Sequence, residues 1–156
     1  GVVTLSGFDI LGSKIFTRDD GITLDAFYVR GICDGIAANP KMKARFEAEV
    51  RRAIAERESL DKRVDEMFYS DRHKRENVVS DVFMRRESKK LVVEIRARDR
   101  IGLLYKIARA IDSCGYDIVF ARVNTERVWA QDSFHLAPRP LAESPAELAK
   151  TLRNLV

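Results

Sequence analysis

The sequence is poor in the residues that build catalytic and structural centres. Two cysteines, Cys33 and Cys114, and two histidines, His73 and His135, are all that the 156 residues contain. Two isolated thiols exclude a disulfide framework, and reduced cysteines in a cytoplasmic setting are the expected state. The histidines form no His-x-x-x-His pair and neither adjoins a cysteine pair, so no metal site is expected. Gly-x-Gly-x-x-Gly, Gly-Lys-Ser/Thr and Gly-x-Ser-x-Gly are all missing, and with them the common phosphate loops and the hydrolase elbow. No catalytic residue is therefore assigned within the chain. No apolar run approaches the roughly 20 residues that span a bilayer, so no membrane partner is expected. No charged-then-apolar leader opens the chain, and export is not expected either. The charge excess is small: 28 basic against 24 acidic residues leave +4, which calls for no nucleic acid partner.

What is present is globular. Hydrophobic residues make up 46% and charged residues 33%, a composition that supports a core under a charged surface. The length fits one domain or two of about 70–80 residues.

A repeat decides between these. Residues 7–17 read Gly-Phe-Asp-Ile-Leu-Gly-Ser-Lys-Ile-Phe-Thr, and residues 115–125 read Gly-Tyr-Asp-Ile-Val-Phe-Ala-Arg-Val-Asn-Thr. Four of the eleven positions are identical and five more keep their character. The echo resumes beyond a turn, where Leu24 to Val29 matches Gln131 to Leu136. Each copy reads as a hairpin. In the first, strands at 7–17 and 22–29 flank Arg18-Asp19-Asp20-Gly21. In the second, strands at 117–124 and 128–136 flank Thr125-Glu126-Arg127. Unbroken alternation places Val119, Ala121 and Val123 on one face, with Ile118, Phe120 and Arg122 on the other. Both faces are partly apolar, so one is expected to pack on helices and the other to meet another sheet or chain.

The second copy is preceded by an alternating strand, Leu91 to Ala97, and by the loop Arg98-Asp99-Arg100-Ile101-Gly102. A helix follows, with Leu103, Leu104, Ile107, Ala108, Ile111 and Cys114 on one face, closed by Gly115 in a left-handed conformation. Pro145 opens a last helix that packs through Leu148, Leu152 and Leu155. The first copy begins only at the end of the corresponding helix, so the chain is expected to be part of something longer. Asn39-Pro40 starts an amphipathic helix with Met42, Phe46, Val50, Ala53 and Ile54 on one side, and Glu47 is spaced to pair with Arg51. Val78 to Met84 supplies a further strand. The Arg85–Lys90 run reads as a solvated linker.

The Asp-Arg-x-Gly-Leu loop and the Gly-x-Asp-Ile strand resemble those of the ACT domain, a small ferredoxin-like sensor of amino acids. The chain is more narrowly similar to the tandem ACT region of the bacterial bifunctional uridylyltransferase/uridylyl-removing enzymes. The residues that carry the likeness are Ile15 to Phe27 and Ala97 to Ala108, with a helical insert of the expected length between them. Ile101 departs from the pattern, which often has Pro there. The resemblance implies an α+β fold of two ferredoxin-like βαββαβ units, antiparallel sheets with helices on one face, the first unit truncated at its N-terminus. It places the first unit at 1–86, with the insert at 40–68, and the second at 90–156. It implies a regulatory module that binds an amino acid, glutamine being the ligand, within an enzyme that modifies the PII nitrogen-signalling protein. That enzyme is expected to need a divalent metal such as Mg; no cofactor is assigned to this chain. The units are expected to pair within the chain or between copies. Rival readings are an assembly module without a small ligand and a basic surface that docks an acidic protein.

The candidate site is the loop and helix start at Asp99, Arg100, Ile101, Gly102, Leu103 and Leu104, with Asp117 and Ile118 on the adjacent strand. Amides at a helix start attract a carboxylate, Gly102 leaves room for close approach, and Asp117 is placed to accept an ammonium. Plainer readings stand beside these. Asp99 fits as a helix cap, Arg100 as a solvated charge, and Asp117 as a strand end. Asp9 is the copy of Asp117 in the first unit. Asp25 and Asp132, each two residues before a Phe, fit hairpin packing. Met67, Phe68 and Tyr69 fit a packing anchor, and His135 is given no role.

Overall fold

The computed structural model describes residues 1–18, 20–31, 40–56, 60–70, 80–88 and 90–156. Among them the alternating segments form six strands and the helical-period segments five helices. In chain order these are α1 (Val2–Leu5), β1 (Phe8–Thr17), β2 (Thr23–Gly31), α2 (Pro40–Glu56), α3 (Asp61–Ser70), β3 (Asp81–Glu87), β4 (Lys90–Arg98), α4 (Leu103–Ser113), β5 (Tyr116–Glu126), β6 (Trp129–Pro138) and α5 (Pro145–Leu155). The strands join one antiparallel sheet in the order β2-β1-β5-β6-β4-β3. The fold is α+β, with helices packed on one face.

The sequence repeat is also a backbone repeat. Gly7 (φ 86°) and Gly115 (φ 82°) both take the left-handed conformation just after a helix, which costs glycine nothing because it lacks a Cβ. Each hairpin then shifts register at the equivalent place, between Ile10 and Gly12 and between Ile118 and Phe120. A bulge inverts the alternation beyond it. Ile118 therefore packs against the core instead of sharing a face with Phe120, as unbroken alternation predicted.

The two hairpins meet edge to edge. β1 runs antiparallel to β5, with pairs from Gly12↔Asn124 to Phe16↔Phe120. The Thr17 hydroxyl donates to the Ile118 carbonyl at 3.1 Å, and its copy Thr125 donates to the Ile10 carbonyl at 3.5 Å. The seam thus carries a local two-fold symmetry.

The core lies between the sheet and α4 and α5. Leu91, Val93, Ile95 and Ala97 of β4 and Phe134 and Leu136 of β6 meet Leu103, Ile107 and Ile111 of α4 and Leu148 and Leu152 of α5. Burying each of these side chains other than Ala97 stabilises the fold by roughly 1.5–3 kcal/mol. α5 starts as expected, with Pro145 in its first turn and the Ser144 Oγ accepting from the Glu147 N–H at 3.3 Å. The place beside β4 is taken by β3, from the chain before it. The Arg85–Lys90 run is accordingly not a linker. Arg85, Arg86 and Glu87 end β3, Ser88 turns with φ 54° and Lys90 begins β4. Arg85 is held by Glu87 and Glu94, both at 3.2 Å.

The insert forms two helices, one meeting the first hairpin and the other α4. Phe46 of α2 meets Phe8 edge-on, ring centroids 6.1 Å apart. Ile54 is 73% exposed and does not join the expected apolar face, while Glu47 pairs with Lys43 rather than Arg51. Val64 of α3 is buried. Asp61 accepts from the Tyr105 hydroxyl at 2.8 Å and from two N–H groups of Arg109, each at 3.1 Å. Cys33 and His73 lie outside the described residues, as do the side chains of Met42, Met67, Phe68 and Tyr69.

On the helix-free face, one row crosses all six strands: Leu24, Phe16, Phe120, His135, Val92 and Arg85. Phe120 and His135 meet edge-on, with centroids 5.3 Å apart.

Candidate functional site

The loop between β4 and α4 is fixed at both ends by its backbone. The Asp99 N–H donates to the Val128 carbonyl at 2.8 Å, and the Leu103 N–H donates to Arg100 at 3.1 Å. Gly102, at φ 83°, is the residue that starts α4 and has no side chain with which to cap it. The next amides of the first turn have no partner within the helix and sit at the positive end of its dipole. Arg100 donates to the Leu155 carbonyl at 2.6 Å, which ties the loop to the C-terminus of α5.

This loop is one wall of a cavity. Asp99, Arg100, Ile101, Gly102, Leu103 and Leu104 line it together with Val123 and Thr125 of β5 and Ala130 and Asp132 of β6. The opposite wall belongs to the other hairpin and its leading helix: Thr4, Phe8, Asp9 and Ile10. The cavity volume is about 30 Å³, room for one or two waters.

Six of the eight expected site residues are thus together, and two are elsewhere. Asp117 is 63% exposed and lies 3.6 Å from Arg139 Nε; neither it nor Ile118 lines the cavity. The cause is the antiparallel seam. It lays the start of β1 beside the end of β5, so the loop at 99–104 faces Asp9 and Ile10, the copies of Asp117 and Ile118. Asp9 itself is held by Arg30 at 2.6 Å.

Asp132, whose place before Phe134 fits hairpin packing, is instead the most unusual group in the cavity. It is 4% exposed and stands in register with Ile95 and Val123. Its Oδ1 has no hydrogen-bond partner. Burial pushes its carboxyl up to about 7; the Asn124 backbone N–H works against this, and the nearby Asp99 carboxylate adds to it. The sequence held one signal of this: Asp132 interrupts the inward series Ala130, Phe134, Leu136. Its copy Asp25 is raised by burial in the same direction. Among the described residues no three His, Cys, Asp or Glu side chains are grouped to hold a metal. No helix among them is long and apolar enough to cross a membrane.

No protein-family model matches the chain. Relatives do. A bifunctional uridylyltransferase/uridylyl-removing enzyme of Rhodospirillum rubrum is 31% identical over 140 residues, which cover 87% of this chain and 15% of that enzyme. The chain is homologous to a region of the bifunctional uridylyltransferase/uridylyl-removing enzymes. The enzyme of that name in Gluconobacter oxydans is 26% identical over 151 residues, again 87% of the chain and 15% of the relative. The one in Mycobacterium tuberculosis is 49% identical over a 45-residue stretch. The chain thus spans about 15% of the length of the first two uridylyltransferase/uridylyl-removing enzymes.

Proposed function

We propose that the chain is the regulatory part of a bifunctional uridylyltransferase/uridylyl-removing enzyme, a pair of ACT units at 1–86 and 90–156 that senses an amino acid, glutamine above all. In this reading the parent enzyme acts on the PII signalling protein in the cytoplasm and carries its catalytic groups and divalent metal in its other domains. The observation that carries the proposal is the composite cavity. A helix start suited to a carboxylate faces acidic side chains suited to an ammonium, and the two hairpins each supply a wall.

The cavity's size gives the binding a consequence. At about 30 Å³ it is too small for an amino acid, so a ligand enters only as the loop at 99–104 and the start of β1 draw apart. The ligand then has different affinities for the closed and opened seam, which is what lets it bias attached domains. Isothermal calorimetry of the chain with L-glutamine tests the reading. A saturable heat is expected, with D-glutamine much weaker; no heat at millimolar ligand overturns it.

A second reading, docking of an acidic protein, draws on the helix-free face. There Lys14 and Arg122 lie beside the row through Phe16 and Phe120. Binding that does not weaken as salt rises counts against it.

A further inference from the structure

A carboxylate oxygen buried without a donor costs the full price of its lost hydration. Asp132 carries one, in an inward register position whose neighbours on both adjacent strands, Ile95 and Val123, are apolar. Packing does not account for it, since an apolar residue would suit that position better. Its site does: Asp132 shares the seam cavity with Gly102, Leu103 and Leu104 at the start of α4.

We infer that Asp132 is the receptor for the ligand's ammonium group, while the amides at the start of α4 receive the carboxylate. The inference rests on the reading of the cavity as an amino-acid site and adds the residue that distinguishes an α-amino acid from a plain carboxylic acid. The other acids are differently placed. Asp9 is engaged by Arg30 at 2.6 Å, Asp117 is exposed outside the cavity, and Asp99 lies in the loop that must receive the carboxylate. An ammonium donates to the vacant Oδ1 and places a positive charge beside it.

Ionisation of Asp132 is coupled to this step. The charged groups that share its cavity are Asp99 and Arg100 from the loop and Asp9 across the seam. β4, β5 and α4 present Ile95, Val123 and Leu103, and the Asn124 backbone N–H favours the ionised form. A ligand ammonium favours it further, so binding near neutral pH expels a proton from Asp132.

The test compares L-glutamine with its deaminated analogue, 4-carbamoylbutanoate, on the wild-type chain, Asp132→Asn and Asp117→Asn. Asp132→Asn is expected to weaken glutamine by about ten- to a hundredfold, the range of a charge-assisted hydrogen bond. The analogue's affinity should change little, and Asp117→Asn should behave as wild type. Calorimetry in buffers of different ionisation enthalpy gives a readout independent of the variant's folding: proton release is expected in the wild type near pH 7. If the wild-type chain binds no glutamine, the amino-acid reading falls and this inference with it. If it binds glutamine but Asp132→Asn keeps full preference over the analogue, or no proton is released, the inference alone is overturned.

Discussion

Lys14 and Arg122 stand directly opposite each other across the seam, and each is the other's equivalent in the sequence repeat. The local two-fold axis therefore passes between them. On either side Gly12 faces Asn124 and Phe16 faces Phe120, pairs that exchange under that symmetry. Both side chains are exposed, and neither forms an ion pair among the described residues.

Like charges directly opposite in a sheet disfavour the pairing by a few tenths of a kcal/mol. Lys14→Glu is expected to turn this into a gain of similar size. Urea unfolding at low salt should show it, and 1 M salt should remove it by screening.

The two repeat glycines should respond unequally to one substitution. Gly7→Ala pays for a left-handed residue, about 1–2 kcal/mol, in open space. Gly115→Ala pays the same and also drives its Cβ to 2.8 Å from the Ala142 Cα, a contact that must move backbone. Equal losses in denaturant unfolding would show that the α5 approach gives way freely.

Asp132 should make the unliganded chain less stable as pH rises. Its folded value of about 7 lies above the ordinary carboxylate value of 3.8, so the folded state holds a proton that the unfolded state has already lost. Stability linked to this proton is complete below pH 4 and is lost progressively up to about pH 7. A displacement of that size amounts to about 4 kcal/mol. Asp132→Asn should therefore be the more stable protein at pH 8, by an amount approaching that figure, and the gap should close toward pH 4 in paired unfolding curves.

The Tyr105–Asp61–Arg109 contact should report the docking of α3 on α4. Burial first, then the hydrogen bond to Asp61, push the Tyr105 phenol up to about 12. Asp61→Asn is expected to lower it toward the usual 10, seen by ultraviolet titration, and to speed hydrogen exchange of the α3 amides. A phenol that still titrates near 12 would assign the shift to burial alone.

Local features were legible in the sequence and long-range ones were not. The repeat, both hairpins, the apolar stripe of α4, Gly115 and the Pro145 helix start each follow from a few neighbouring residues and their periodicity. The bulge at Val119 was invisible to an alternation that assumes none. The replacement of Asp117 by Asp9 in the cavity depends on a seam between residues about a hundred positions apart, and no local pattern states which strand edge will meet which. Asp132 is masked in the sequence because an acid before an aromatic residue looks like hairpin chemistry. Only its neighbours on other strands make it a buried charge.

The sheet order also bears on how the molecule comes together. β1–β2, β3–β4 and β5–β6 are hairpins, which close within microseconds and need little loop entropy. β1–β5 joins segments from opposite ends of the chain, and such remote pairing is slow. The seam is thus expected to form after the hairpins, and the cavity with it. In the proposed reading, a molecule that occupies the cavity would bear on a contact expected to form late, and would hold the two halves in register there.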